Sequence, residues 1–453
     1  PRRWHAAGTR PPPPRPCGGV VGEGSSGEPA GGTLRVVEGL VLIERSDSLG
    51  FLRNRNEAAK AASGTFLHLL NNDTEVLPGT FDALLTRLQT DSTIGLTGSK
   101  LLYPDGRLQE AGGIVWNDAS GWNFGRHDPS PDRAAYNYSR DVDYISGASI
   151  MLRRDLFASL GGFDEAFMPA YYEDTDLAFR IRASGLRVVF EPASAVVHHE
   201  GVSHGTDETN GIKAYQVRNR HLMLERWREV LQAEHFPPTT QFLRAASHAR
   251  DRKTILIIDH YVPEPDRDAG SRTTMDVIRA LIRAGWLVKF WPENRQRNHY
   301  SSALERLGVE TLDETTPYDF PGWIAENGPD LDHVMIMRPT IARAFLPDVV
   351  LNTDARRSYY GHDIHFLRLE REAEVTGDRQ VHEDALIMRR LETWLWPQFH
   401  AVLYLSRYEA DLVRELAPDA QPHAIVPFCF APDQSVRHVV SSRTILFVGG
   451  FGH

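Results

Sequence analysis

Cysteine is scarce in this chain of 453 residues: Cys17 and Cys429 stand far apart and match no zinc-like spacing. Neither a disulfide framework nor a Cys-based metal site follows, and a reducing compartment is the expectation. Basic residues are outnumbered, 50 Lys and Arg against 60 Asp and Glu, for a formal net charge of -10. No nucleic-acid partner is expected, because general affinity for phosphate backbones needs clustered cations that release counterions. No apolar run reaches the roughly 18 residues of a spanning helix, and no charged then apolar leader opens the chain. A cytoplasmic protein is expected, free or peripheral to a membrane. A P-loop and a two-His helical zinc motif are both lacking, as is any internal repeat. The chain also lacks an initiating Met, and Phe447 to His453 reads as a strand entering a Gly-rich turn with nothing after it. Both ends read as cut.

What is present suits several cores. Hydrophobic residues make up 41% and charged residues 24%, and the length suggests about three domains. Residues 1–32 are rich in Pro, Gly, Arg and Ser without apolar periodicity and are expected to be disordered. From Leu34 the pattern becomes alternating strands and helices. An apolar stretch at Leu34 to Ile43, a helix at Glu57 to Ala62 and a buried strand at Thr65 to Leu70 lead into Asn71-Asn72-Asp73. A helix at Thr80 to Gln89, a strand at Ile94 to Gly98 and a long polar loop at 116–140 follow. Helical spacing recurs at Ile150 to Leu160 and Asp174 to Ala183, and short strands at Val188 to Phe190 and Ser194 to Val197 end in His198-His199-Glu200.

The stretch 236–252, with Pro237-Pro238, reads as a linker. Beyond it Thr254 to Asp259 is a strand, Thr273 to Ala284 an amphipathic helix and Leu287 to Trp291 a second strand. This βαβ start predicts a parallel sheet, continued by strands at His333 to Met337, Ala401 to Leu405, His423 to Val426 and Thr444 to Val448. Helices at Glu383 to Trp396 and Glu409 to Leu416 lie between.

Three clusters carry chemistry. Asn71, Asn72 and Asp73, with Thr74 and Glu75, stand at a strand end, where oxygen ligands suit a hard divalent cation and where α/β sheets place ligands. Taken alone, the cluster better suits an ordinary turn or helix cap. Glu173, Asp174 and Asp176 crowd the first turn of a helix, with Arg180 one turn on from Asp176. They suit either acidic capping with a surface ion pair or a general base. His198-His199-Glu200-Gly201 offers imidazole at a strand end for a metal.

Together, and in this order, these motifs place residues 49–227 in resemblance to family 2 glycosyltransferases of the bacterial polysaccharide and rhamnosyl type. Its carriers are Leu49-Gly50-Phe51 with Asn56 and Ala58, Asn71 to Val76, Ser146-Gly147-Ala148, Gly161-Gly162-Phe163-Asp164-Glu165, Tyr172 to Leu177 and His198 to Gly201. The resemblance implies a GT-A fold of α/β class, a mixed sheet flanked by helices, over 33–235. It further implies an inverting transfer from a nucleotide-diphosphate sugar to a glycan or lipid-linked acceptor in surface polysaccharide synthesis. Asp174 matches the catalytic base, Asp73 and His198 the ligands of Mg²⁺ or Mn²⁺, and Asn56, Asn71, Asn72, Gly147, Glu173 and Asp176 the donor and acceptor surroundings. Two departures stand out: Asn71 replaces an acidic residue, and the family's nucleotide-binding opening has the Pro/Gly-rich 1–32 in its place, so it reads as missing.

Residues 253–442 resemble the Rossmann-like N-terminal domain of a family 4 type GT-B glycosyltransferase. The carriers are Ile255 to Ile258, the loop Pro263 to Arg272, Gly285-Trp286, Gly361 to His365, and Ser406 with Glu409. Residues 443–453, with Gly449-Gly450, would open its second domain. In that resemblance Asp268 to Arg272 and His362 are candidate acceptor-cleft residues. A non-catalytic carbohydrate-binding or scaffolding remnant is the alternative, and a metal-dependent hydrolase a weaker third.

Overall fold

A computed structural model describes residues 19–23, 40–44, 50–199 and 214–426. Two seven-stranded sheets organise them. Strands β1 (Gly19–Glu23) and β2 (Leu40–Glu44) pair in parallel beside the first sheet's elements, and the helix Gly50–Ala61 packs against β1. Of the leader expected to be disordered, only 19–23 is described, and it is a strand. Its two valines between glycines suffice once Leu40–Glu44 offers a partner edge, which composition alone does not reveal.

The first sheet uses β3 (Phe66–Leu70), β4 (Thr74–Val76), β5 (Ile94–Leu102), β6 (Leu108–Glu110), β9 (Arg140–Asp141), β10 (Ser149–Arg153) and β11 (Arg187–His198). Strands β7 (Gly113–Val115) and β8 (Gly121–Asn123) form a separate antiparallel pair. The main order is β3-β10-β5-β11-β4. β10 runs antiparallel to both neighbours, whereas β11 is parallel to β5, so the sheet is mixed. Ile150 to Arg153, expected at helical spacing, is this central strand, and the helix is confined to Arg154–Ser159. Ser149 to Leu152 are buried on both faces, and a continuous apolar run carries no period that separates strand from helix. The two short strands expected near 188–197 are one strand with a register shift between Glu191 and Ala195.

The second sheet is wholly parallel: β12 (Thr254–Asp259), β13 (Leu287–Pro292), β14 (Glu310–Thr311), β15 (His333–Met337), β16 (Arg356–Tyr360), β17 (Ala401–Tyr404) and β18 (Pro422–Ala424). Its order is β14-β13-β12-β15-β16-β17-β18. Growth reverses direction between β12 and β15, which makes the ends of those strands a topological switch point. All of β12 and β13 is buried, as strands covered on both faces require. The expected strand at Thr444 to Val448 and the Gly449-Gly450 turn lie outside the described residues, as do Glu200 and Gly201.

The helix Glu173–Ala183 is anchored from its first turn. Asp176 is fully buried and accepts from Arg180 Nε at 2.7 Å, Arg226 Nη1 at 2.9 Å and Trp227 Nε1 at 3.0 Å. Arg226 also holds Asp164 at 2.8 Å, so one guanidinium ties the 161–165 loop to this helix. Asp176→Ala strands two guanidiniums, of which Arg226 keeps 30% side-chain exposure. Denaturant unfolding should therefore show a loss of about 3 kcal/mol, the low end for breaking a buried pair.

Candidate functional site

The strand pairing brings distant motifs together. β3 ends at Leu70, opposite Ser149. Asn71 N–H then donates to Ala148 O at 2.9 Å, and the chain turns through Asn72 and Asp73 into β4. β4 pairs with the end of β11 so that His198 faces Thr74, and His199 N–H donates to Asp73 O at 2.9 Å. His198 Nε2 thereby lies 3.3 Å from Asp73 Oδ1 and 3.3 Å from Asn71 Nδ2. Asn72 is exposed beside them. His199 instead bonds to exposed Glu75 at 2.7 Å.

The other nitrogen of His198, Nδ1, lies 3.0 Å from Gln109 Oε1; with the proton on Nδ1, Nε2 is the acceptor for Asn71 Nδ2. Gln109 is 2% exposed and was not among the residues expected from sequence. An amide orienting a ligating imidazole from behind is the arrangement metal sites use. Asp73 Oδ1 is buried without a hydrogen-bond partner.

A second group faces the same cleft. Asp174 Oδ2 accepts from Gly147 N–H at 2.8 Å, and Oδ1 accepts from Thr175 N–H at 2.7 Å. A Cβ on Gly147 would sit 3.2 Å from Arg55 Nη1 and 3.7 Å from Asp174 Oδ2, so a methyl there would press on the Arg55 guanidinium. Tyr171 and Tyr172 enter the helix at φ 75° and 70°, a left-handed pair that costs roughly 1–3 kcal/mol per residue. Tyr172 hydroxyl donates to Ala119 O at 2.9 Å and holds the turn in place. Burial pushes the Glu173 carboxyl up to about 8, and the charge of Asp174 adds to the shift. Asp174 is also raised by burial, while the N–H groups of Gly147 and Thr175 pull it back.

Arg55, which sequence reading missed, joins the two groups. Its guanidinium donates to Gly147 O at 2.8 Å and to Asn71 Oδ1. Burial lowers it to about 10, and the charges of Glu173, Asp174 and Asp73 hold it up. It therefore stays protonated at neutral pH beside Asp73, Asp174 and Glu173. An arginine in an otherwise ordinary helix gave no signal; only its partners identify it.

Two expected site residues are turned to other work. Asn56 donates from Nδ2 to Phe163 O at 2.8 Å and accepts Phe163 N–H on Oδ1 at 2.9 Å, so both ends of its amide clasp the glycine loop. Asp176 belongs to the buried ion cluster with Arg180 and Arg226. Asn71, Gly147 and Glu173 line the cleft with Asp73, Asp174 and His198.

A further proximity group joins Asp143, His235 and His248, whose ligand atoms lie within 4.8 Å of one another and so form a possible metal site. His248 Nδ1 is 2.6 Å from Asp143 Oδ1, Val115 N–H donates to Oδ2 at 2.7 Å, and His235 Nδ1 donates to Val115 O at 2.7 Å. Burial opposes ionisation of Asp143, yet the two imidazoles hold it well below the ordinary carboxylate range. These bonds fasten the 235–249 segment onto the first sheet's elements.

In the parallel sheet the switch point gathers Asp259, Arg338 and His362 at the ends of β12, β15 and β16. Arg338 Nε donates to Asp259 at 2.9 Å. Asp268 caps the helix Ala269–Arg283 through Ser271 N–H at 2.7 Å, and a Cβ on Gly270 would come within 3.1 Å of Arg338 Nη2. Arg338 and His362 both have positive φ, 68° and 60°. Burial pushes His362 down to about 4. Ser406 and Glu409, by contrast, form a capping box.

The family model "Glycosyltransferase like family 2" matches residues 32–222. The O-antigen biosynthesis protein RfbC of Myxococcus xanthus is 39% identical over 157 residues, 34% of this chain and 12% of that protein. N-acetylglucosaminyl-diphospho-decaprenol L-rhamnosyltransferase of Mycobacterium tuberculosis is 29% identical over 175 residues, 36% of this chain and 57% of that protein. The chain thus matches about an eighth of the first relative's length and little over half of the second's. Among solved structures, mannosyltransferase PcManGT from Pyrobaculum calidifontis with GDP-Man and Mn²⁺ aligns at TM-score 0.33 and 16% identity, over 59% of this chain and 66% of that one. GalNAc-T7 with UDP, GalNAc and Mn²⁺ aligns at TM-score 0.38 and 17% identity, over 48% and 43%. The matched residues 32–222 include Asp73, Gly147, Asp174 and His198, and this stretch is similar to the family 2 glycosyltransferases.

Proposed function

We propose that this domain, of GT-A type, transfers a glycosyl unit with inversion from a nucleotide-diphosphate sugar to a hydroxyl of a glycan or lipid-linked acceptor, in the assembly of a surface polysaccharide. The relatives' names, O-antigen biosynthesis and rhamnosyl transfer, support the substrate class. The observation that carries the reading is the buried Glu173–Asp174 pair set against Arg55.

Two adjacent buried carboxylates cannot both ionise cheaply, and hydrogen bonding decides which one does. Asp174 accepts two backbone N–H groups, whereas Glu173 Oε2 is buried without a partner. Asp174 is therefore the carboxylate and Glu173 holds the proton near neutrality. As general base, Asp174 takes the proton of the acceptor hydroxyl while the acceptor's oxygen bonds to the anomeric carbon. The anomeric C–O bond to the diphosphate breaks, and that electron pair leaves with the phosphate oxygen.

The residues present fit a divalent cation, because an oxygen ligand and an imidazole stand side by side, Asp73 Oδ1 and His198 Nε2 being 3.3 Å apart. Asp73 and His198 would hold Mg²⁺ or Mn²⁺, which when bound offsets the charge of the leaving diphosphate. The neutral amide of Asn71, in place of a carboxylate, lowers the negative charge of this ligand set. In the second module the switch-point residues Asp259, Arg338 and His362, the last two at positive φ, support a second ligand cleft; the GT-B reading of 253–442 and the acceptor role of Asp268 to Arg272 rest on that cleft.

Asp174→Asn should lower turnover by at least about a hundredfold while donor affinity, measured by calorimetry, stays within about twofold; undiminished transfer would sink the assignment. The rising limb of the pH–rate profile should move to higher pH in Arg55→Met, which removes a cation favouring ionisation, and stay in place in Glu173→Gln, because Glu173 is uncharged where Asp174 ionises. A move to lower pH in Arg55→Met, or a large displacement in Glu173→Gln, would refute the electrostatic account. Gln109→Leu should weaken Mn²⁺ binding, followed by EPR without substrate, about ten- to hundredfold; unchanged affinity would remove His198 from the metal site.

A further inference from the structure

The turn against which Asp174 leans is itself held from the sheet. Gly147 N–H donates to Asp174 Oδ2 at 2.8 Å, and one residue earlier Ser146 N–H donates to Glu110 Oε1 at 2.9 Å. Glu110 is 0% exposed. We propose that Glu110 is a positioning residue for the base: by fixing Ser146 N–H it sets the direction of the next N–H, which holds the Asp174 carboxylate. The role rests on the reading of Asp174 as the base of a glycosyl transfer.

Backbone geometry supplies the coupling. Peptide groups are planar, so only φ and ψ of Ser146 separate its own N–H from that of Gly147. Holding the first plane narrows where the second can point. The rest of the turn removes much of the remaining freedom: Ser149 N–H donates to Ser146 O at 3.3 Å, Ala148 N–H to Ser146 Oγ at 3.3 Å, and Asn71 N–H to Ala148 O at 2.9 Å. Gly147 has no side chain with which to fix itself.

The anchor is independent of the cleft's own groups. Glu110 ends β6, which pairs antiparallel with β5 through Leu101 and Glu110, so a strand sets its place. Arg55 and Asp174, by contrast, reach each other through Gly147. Packing alone does not call for a carboxyl at such a position, because burying one is costly unless hydrogen bonds meet it. The residue beside it shows what the strand does. Successive strand residues face opposite sides, and Gln109, 2% exposed, reaches His198 Nδ1 at 3.0 Å. Two adjacent side chains of β6 thus address both halves of the site, Gln109 the imidazole beside Asp73 and Glu110 the turn beside Asp174.

Three variants of the full chain separate geometry from charge. Glu110→Leu removes the acceptor, Glu110→Asp keeps the carboxyl but withdraws it by one methylene, and Glu110→Gln keeps an Oε1 acceptor at full reach. The Asp174 carboxyl is followed by carbon-13 NMR against pH and assigned by the signal lost in Asp174→Asn. The N–H of Gly147 helps pull Asp174 down. Its titration midpoint should therefore rise by about one pH unit in Glu110→Leu and in Glu110→Asp, where that N–H is turned away. In Glu110→Gln it should stay where it is in the unaltered chain. Either of the first two variants decides alone if circular dichroism shows the other unfolded. An unmoved midpoint in a folded Glu110→Leu or Glu110→Asp overturns the proposal; so does a displaced one in Glu110→Gln, which would mark Glu110 as acting through its charge. The titration needs neither donor nor acceptor, so the coupling can fail while Asp174 remains the base, and the base assignment can fail in the Asp174→Asn turnover assay while the coupling stands.

Discussion

Arg55 is the constraint on which the first module's site depends. Its guanidinium is buried, so it needs negative charge nearby to remain protonated; Glu173 and Asp174 are buried, so they need a cation to hold any charge at all. The hydrogen bonds to Asn71 Oδ1 and Gly147 O also tie the end of β3 to the loop before β10. One side chain thus fixes the distance between the strand end that carries Asp73 and the glycine against which Asp174 leans. Gly147 lies between Arg55 and Asp174 and serves both, its carbonyl accepting from one and its N–H donating to the other.

Much of this was legible in the sequence, though unevenly. Asp73, Asp174 and His198 could be named because acids and imidazoles at strand ends and helix starts have few uses, and six motifs in order match one family. Asp176 shows where spacing runs out. On an α-helix, residues two apart point about 200° away from each other, so Asp174 and Asp176 cannot serve one cleft. Asp174 faces Gly147, and Asp176 faces Arg226 and Trp227. The acidic run identified the turn but not which acid looks which way. Asn56 is similar: an amide near a site was read as a ligand contact, while its two ends clasp Phe163.

Arg55 and Gln109 were illegible for a different reason. Each acts through a partner more than fifteen residues away, Asn71 and His198 respectively, and nothing local marks them. The sheet supplies that information, because β4 and β11 must pair before His198 can meet Asp73. At the fold level the same limit appears in β10. Ser149 to Arg153 sits between β3 and β5 with both faces covered, and such a strand shows no alternation. The parallel sheet was easier, since β12 and β13 are apolar runs bounded by Asp259 and Gly285, and the helix between them is strongly amphipathic.

The junction between the modules carries charge where an interface could have been apolar. Arg140, 4% exposed, donates to Ala246 O at 2.9 Å and lies over Phe190 at 4.8 Å and Tyr138 at 5.1 Å. Lys289 and Glu310 pair across from it, and Lys289 Nζ is 5.8 Å from the Tyr138 ring. Ser139 N–H donates to Glu305 O at 3.0 Å, and Arg252 reaches Asp141 at 3.0 Å. Separating the modules would expose the aromatic rings and leave Arg140 without the carboxylate of Glu310 that helps keep it charged. Buried ion pairs of this kind add little net stability but penalise every other docking arrangement, because a misplaced partner leaves a desolvated charge.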